Sequence, residues 1–570
     1  MNFSQLFRKK SVNQILKDVE QGYSDGEGGT GLTRTLKVRD LTFFGIAAII
    51  GAGIFGTIGQ ASFDGGPAVS LLFVFIAVAC GFAALCYAEF ASMIPIAGSA
   101  YTYSYVAFGE LVAWIIGWDL LMEYSIGNIT VALSWSSYFE TFIGGFGLHL
   151  PSYLTSDIIS SYHAFEAGST TSPEYQAWVT APRIGSFPLI ADIPALFITI
   201  FITCLIYIGI KESRTASNLM VMLKLTIVVV VILIGIFYIN PSNWHPFLPN
   251  GVSGVLKGVA AVFFAYIGFD AISTTAEECE NPQRDLPKGM IYALIICTVL
   301  YIIMSLVLTG MTSYKNLGVQ DPLADVFKNI PSLNWLAGVI AFSAIIATTS
   351  VFLVFQLGQP RIWMSMSRDG LLPKKFASIH PKYHTPAFST VMTGFLVAVP
   401  LLFLNFTLVT NLTSIGTLFA FALVCGGVLI MHEQKDLPQR KFKVWYINGK
   451  YIIPLMFLTL FFLMYLYNRE TLMDFIFFKN SSDTTSNAMS VGKENLPYWI
   501  FIIYAILISW YSYKRNLSLI PVLGLSMCIY LMSALTTTTW IGFTIWLIIG
   551  LVIYFLYSFK NSRLHTETRI

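Results

Sequence analysis

The sequence predicts an all-α polytopic membrane protein of about fourteen transmembrane helices, with a core of two oppositely oriented five-helix units. Three observations predict it. The 570 residues are 55% hydrophobic and only 11% charged, with a mean hydropathy of +0.68, whereas a soluble domain of that size needs a far more charged surface. Apolar runs of roughly 20 residues, the length that crosses a bilayer, recur fourteen times. Two of those runs, the first and the sixth, carry glycine or a carboxylate at mid-span.

Taken in order, residues 1–40 are polar and basic, and within them the first 30 or so, closing on "SDGEGGTG", have the composition of a disordered segment. The first apolar run is long enough to span, which argues against a cleaved signal peptide. The runs lie near 41–62, 67–94, 108–137, 190–210, 217–239, 256–276, 289–311, 334–358, 385–404, 411–431, 451–468, 497–513, 517–535 and 538–558. The expected organisation is a cytoplasmic N-terminal segment (1–40), a ten-helix core (41–432), four additional spans (433–558) and a cytoplasmic tail (559–570). Loop charge tests the layout. Of the 34 Lys and Arg residues, 26 fall on the side of the termini and 6 on the other, with Lys224 and Lys257 in or beside helices. That asymmetry puts both termini in the cytoplasm. The stretch 140–189, rich in Ser, Thr, Tyr and Pro, reads as a connecting loop, with a lid or partner surface as the functional alternative.

The first run contains "GAGIFG", and each glycine inside a helix costs about 1 kcal/mol relative to alanine. The sixth contains "AAVFFAYIGFDAISTTAEE", with Gly268 and Asp270 in mid-span. A lone GxG in a membrane helix is more often a packing device. These two breaks are five spans apart and therefore oppositely oriented, which is the mark of an inverted-repeat transporter. A broken helix in lipid exposes N–H and C=O groups that need partners. The N-terminus of a half-helix suits a carboxylate, and freed carbonyls suit an ammonium, so a zwitterion can satisfy both.

Ionisable side chains inside spans are costly and point to function. Glu123 lies deep in the third run. Asp119, one turn earlier on the same face, reads more readily as a structural hydrogen-bonding group. Asp270 follows the break in the sixth run. Lys224 sits about two turns into the fifth, in "SNLMVMLKLTIVVVVILIGIF", either buried or snorkelling to the interface. Glu277, Glu278 and Arg284 read as a gate or a solvated cluster. The seven cysteines (Cys80, Cys86, Cys204, Cys279, Cys297, Cys425, Cys528) have no CxxC spacing. The seven histidines lie in loops or near helix ends, and neither HExxH nor GxSxG occurs. An enzyme, a metal site and a cofactor are therefore not expected, and a net charge of +3 gives no reason to expect a nucleic-acid partner. A channel is the remaining alternative, and broken helices around a small closed site favour a carrier.

Several stretches resemble the amino acid–polyamine–organocation (APC) superfamily, and within it the cationic amino acid transporter family. They are "GLTRTLKVRDLTFFGIAAIIGAGIFG", "CYAEFASMIPIAGSAYTYSYVAFGELVAWIIGWDLLMEY", "FFAYIGFDAISTTAEECENPQRDLPKG", "GQPRIWMSMSRDGLLP" and the final "IPVLGLSMCIYLMSALTTTTWIGFTIWLIIGLVIYFLY". The resemblance implies the LeuT-type inverted-repeat fold. It implies that Ile49, Gly51, Ala52 and Gly53 offer backbone groups to the substrate, and that Phe264, Ala265 and Ile267 offer carbonyls to its amino group, with Phe264 also a gate. Many bacterial relatives have Thr or Ser where Ala52 stands, so recognition there would rest on the backbone. Glu123 and Asp270 fall in the site region. Lys224 matches a lysine that replaces sodium in proton-coupled members. Phe355 fills space that a long cationic side chain would need. The implied function is a secondary transporter of L-amino acids, proton-coupled and sodium-independent, leaning to small or neutral substrates. A cationic amino acid or amine exchanger is the alternative. The expected setting is the plasma membrane, a bacterial inner membrane, with a small membrane subunit left open as a partner.

Overall fold

The structure, a computed structural model, describes residues 6–10, 36–94, 99–209, 214–433, 442–467 and 488–564; the side chains of 99, 214–218, 274, 277, 278, 467 and 488–495 lie outside that description. Among the described residues the chain is almost wholly helical, and each of the fourteen apolar runs is a helix or a broken pair of helices. Seven stretches are long and apolar enough to cross a membrane, one bent pair adds an eighth, and four shorter apolar helices accompany them.

The first span is broken. Its first half, Val38–Ile49, ends where Ile50 adopts an extended conformation (ψ 97°). The chain resumes through a wide turn at Gly53–Thr57 and a second helix at Ile58–Gly65. The sixth span is broken as well. Helices Gly251–Lys257 and Val259–Phe264 lead into a turn at 265–268, and a tight 3-10 helix, Phe269–Glu278, continues beyond it. Gly268 has φ 118°, a conformation that glycine reaches without strain.

The third span, Glu110–Gly144, packs along the eighth (Asn334–Arg368) and the tenth (Phe406–His432). The seventh span, Pro282–Met311, packs on the second, Val69–Met93, and on the first half of the first. The fourteenth span, Thr537–Ile553, is clamped to the third. Trp118 and Trp546 stack at 4.7 Å. Each indole N–H donates to the other residue's carbonyl, at 2.8 and 3.0 Å. Trp114 donates to the carbonyl of Gly550 at 2.9 Å.

Two faces of the bundle can be told apart. On one, the segment expected to be a plain connector is folded. Asp157 caps helix Ile158–Glu166, Ser172 caps helix Pro173–Thr180, and strands Arg183–Ile184 and Phe187–Pro188 form a hairpin. Capping side chains placed just before a helix explain why so polar a stretch takes up structure. On the opposite, basic face, Glu110 accepts from Tyr105 (3.3 Å), Tyr554 (3.1 Å) and Ser562 (2.5 Å). Nearby, Asp369 pairs with Lys10 and accepts from Tyr101. These bonds tie residues near both ends of the chain to the core.

At the long-loop face Asp192 caps the fourth span, Ile193–Ile208, by accepting from the N–H of Ala195, and it also accepts from Ser136 of the third span. Burial raises its carboxyl from the usual 3.8 to about 7, against the opposing effect of those hydrogen bonds. The folded protein therefore holds a proton there that the unfolded chain releases, and stability falls as pH rises from about 4 to about 7. Asp192→Asn, which keeps a capping acceptor, is expected to raise the melting temperature by a few degrees at pH 8 and by clearly less at pH 5. An equal shift at both pH values would refute that account.

Candidate functional site

The two breaks face each other. A Cβ on Gly53 would lie 2.5 Å from Ala265 Cα, and one on Gly268 would lie 2.9 Å from the carbonyl carbon of Ala48. Backbone thus meets backbone at two points, an approach that only glycine permits.

The carbonyls released by the first break have partners. The Lys224 ammonium donates to Ala47 O at 3.0 Å and to Ile50 O at 3.1 Å. Tyr301 of the seventh span donates to Ile49 O at 2.9 Å, and Tyr138 of the third donates to Phe55 O at 2.5 Å. In the sixth span, Ser414 of the tenth donates to Ala260 O at 2.8 Å, and the Thr57 hydroxyl lies 2.8 Å from Ala261 O. At the other side of the first break, the N–H groups at Gly51, Ala52 and Gly53 stand at the start of a half-helix, where helical geometry provides no carbonyl for them. The arrangement can hold an anionic group at those N–H groups.

The residues expected to bind substrate or to couple protons are buried. Ile49 lends its carbonyl to Tyr301, so that group is already engaged. Gly51 lies against Val351 of the eighth span. The carbonyl of Phe264 accepts from the N–H of Ile267 at 3.2 Å in the turn, while Ala265 touches Gly53. Asp270 opens the 3-10 helix beyond the break. Glu123 lies within electrostatic reach of Asp270 and Asp119 and is hydrogen-bonded with Thr417. Phe355 stands edge-on to Tyr124, with ring centres 5.4 Å apart, and backs onto Gly127. Lys224 is fully buried, at 0% exposure. The Glu277 and Glu278 side chains lie outside the described residues. Arg284 is exposed and 3.9 Å from Asp285, away from the breaks.

Sequence reasoning missed the hydroxyls of Tyr301, Tyr138, Thr57 and Ser414, which hold the broken backbone, and those of Tyr87 and Tyr103. A tyrosine amid aliphatics, as in "IICTVLYIIM" around Tyr301, was the available signal. Among the described residues no three His, Cys, Asp or Glu side chains gather to hold a metal.

A family model described as amino acid permease matches residues 36–507, and one for the C-terminus of that group matches 517–562. The chain is 36% identical over 564 residues to the branched-chain amino acid permease BcaP of Bacillus subtilis, covering 98% of this chain and 99% of that one. It is 35% identical to the methylthioribose transporter of the same organism, over 99% of this chain and 100% of the relative. It is 30% identical to human cationic amino acid transporter 4, over 94% and 88% of the two chains.

Gly53→Ala should force apart the two breaks and cost about 1–3 kcal/mol, as overpacking does. A Cβ on Gly81 meets nothing within 4 Å. Thermal unfolding of the purified variants checks this: Gly53→Ala should melt several degrees lower and Gly81→Ala, inside helix Val69–Met93, at or above the parental temperature, and equal behaviour would contradict it.

Proposed function

The chain belongs to the amino acid permease family, and we propose that it is a secondary active transporter of L-amino acids, small or neutral, driven by protons and not by sodium. Its first ten spans form the inverted-repeat transport core, and both termini face the cytoplasm of a bacterial inner membrane. The lipid bilayer is its solvent; a small membrane subunit remains an open partner.

The observation that carries this reading is the contact of Lys224 with Ala47 O and Ile50 O. A monovalent cation held at a helix break by backbone carbonyls would sit in the same way. A tethered ammonium supplies that positive charge without an ion from solution, and it can lose and regain a proton. Deprotonation weakens its hold on the first half of the broken span, which couples proton loss to movement of that half.

The substrate site follows from the opposite ends of the slot. The carboxylate sits on the N–H groups at Gly51, Ala52 and Gly53. The ammonium sits toward the sixth-span turn at Phe264, Ala265 and Ile267, with Asp270 and Glu123 as negative neighbours. The side chain runs toward Phe355. That ring and Tyr124 fill the space between the third and eighth spans, which favours a short or branched apolar side chain. The name of the 36%-identical Bacillus relative, a branched-chain amino acid permease, agrees with such a pocket. The second reading, a cationic amino acid or amine exchanger, is favoured by one observation: Glu123 lies within electrostatic reach of two further buried carboxyls, Asp119 on one side and Asp270 on the other.

Purified protein in proteoliposomes, offered each of the twenty amino acids, tests both readings. Uptake of small or branched neutral amino acids should rise when the outside is made acidic and should not change when sodium is replaced by potassium at constant pH. Sodium dependence would overturn the coupling assignment, and preference for arginine or lysine would favour the exchanger. Phe355→Gly should extend the accepted range to longer side chains by about tenfold in relative uptake, the scale of a pocket contact worth 1–3 kcal/mol. An unaltered range would remove Phe355 from the pocket.

A further inference from the structure

Asp119 has a peculiarity that the transport reading does not use. It is fully buried, and neither of its carboxyl oxygens meets a hydrogen-bond donor. One turn along the same helix, Oε2 of Glu123 is also buried and unpartnered. From the second span the Tyr87 hydroxyl is buried without a partner, and from helix Ser99–Ala107 the Tyr103 hydroxyl is buried and hydrogen-bonded with Ser273. Tyr87 lies within electrostatic reach of Asp270, Glu123, Tyr103 and Tyr124. Glu123, Asp270 and these two hydroxyls therefore share one region beside the sixth-span break.

The groups around Asp119 decide what it can bind. From the tenth span it faces Gly416, where an added Cβ would sit 2.9 Å from Oδ1 and 3.0 Å from the Met122 methyl. Thr417, next along, is hydrogen-bonded with Glu123. Arg361 of the eighth span is exposed and acts electrostatically on Tyr124. The fourteenth span touches this stretch through the Trp118–Trp546 clamp, which is uncharged. Among the described residues no charged group of a neighbouring helix acts on Asp119, and Glu123, with Asp270 beyond it, is its charged neighbour. An ionised carboxylate sealed in this way has nothing to offset its lost hydration. A hydrated cation has no room beside Gly416 and Met122. A proton needs no room and removes the charge.

We propose that Asp119 is a second proton-binding residue of the transporter, distinct from Lys224, which exchanges its proton with Glu123 one turn away. The proposal rests on the proton-coupled reading given above. The proton binds from water on the acidic side and reaches Glu123 beside the broken sixth span. Its transfer to Asp119 carries it about 6 Å along the axis toward the basic face, at 1.5 Å per residue. An O–H bond on Asp119 forms as one on Glu123 breaks, once a side-chain rotation brings the two carboxyls together or a water bridges them, because in this arrangement neither Asp119 oxygen reaches Glu123. Release to water on the basic face leaves Asp119 ionised until the next proton arrives, so each cycle moves one proton and no other bond changes.

The test uses the full-length protein in proteoliposomes with L-leucine as substrate and a trapped pH-sensitive dye as the proton probe. Three quantities are read: leucine-dependent proton influx, concentrative uptake under an inward acid gradient, and leucine exchange at equal pH on both sides. In Asp119→Asn, a neutral mimic, proton influx and concentrative uptake should fall about tenfold, while exchange stays within about twofold. Equal loss of all three would show a structural role, and retention of all three would remove Asp119 from the proton path; either overturns the proposal. If Asp119→Asn does not fold, Asp119→Glu decides. That variant should keep proton influx with a displaced pH profile, and an undisplaced profile counts against the proposal. Parental protein that exchanges leucine without proton influx would instead sink the coupling reading beneath it, and the two failures are thereby distinguished.

Discussion

The bond from the Lys224 ammonium to the carbonyls of Ala47 and Ile50 is the contact on which the rest of the site depends. Breaking a helix inside a membrane leaves carbonyls that lipid cannot satisfy, at several kcal/mol each. With that ammonium and the Tyr301 hydroxyl in place, the chain can turn at Ile50 and begin a new half-helix beside the sixth-span turn. Without them, the first span would be driven toward a continuous helix and the slot would close. The fifth and seventh spans thus act on the first through single polar atoms placed among aliphatics. Such contacts are few, directional and reversible, which suits an element that has to move.

The third span plays the opposite part. It carries Glu123 and Asp119 on one face, packs on the eighth and tenth spans, and is fixed to the fourteenth by paired indole donors and stacked rings. At one end Glu110 collects three hydroxyls, and at the other Ser136 donates to Asp192. Many mutually supporting contacts along one helix make a rigid reference against which the broken spans can rock. The thirteenth and fourteenth spans therefore do more than lengthen the chain, because the fourteenth stiffens the helix that bears the carboxylates.

Much of this was legible in the sequence, for a physical reason. Span number depends on length and hydropathy, and the positions of the breaks depend on glycine, so "GAGIFG" and "FAYIGFD" announce themselves. What was not legible depends on which residues meet across helices. That Tyr301 would serve Ile49, or Ser414 would serve Ala260, requires the packing of distant segments, and a single hydroxyl in an apolar run gives no direction. The folded segment between 140 and 189 was hidden by its polar composition, although Asp157 and the Ser172–Pro173 pair carry ordinary capping signals. Ile49 is expected to offer backbone groups to a substrate and Phe264 a carbonyl, and both carbonyls also have local partners. Tyr301 engages the first, and the N–H of Ile267 engages the second.

The charges of the site can be weighed as a set. A positive group lies behind the first break, and three carboxylates, Asp270, Glu123 and Asp119, lie on the other side of the slot. In a low-dielectric interior such charges interact strongly, and among the described residues no side-chain cation is paired with these carboxylates. If all three were ionised with the slot empty, the repulsion among them would add to the cost of burial. A bound ammonium relieves the pair nearest the break, Asp270 and Glu123, but Asp119 is one turn too far along the helix and walled off by Gly416. A substrate ammonium and a proton would therefore neutralise different members of one carboxylate set. Each bears on the other's binding, since a cation near a carboxylate weakens its hold on a proton, and such a coupling free energy between two sites acts in both directions.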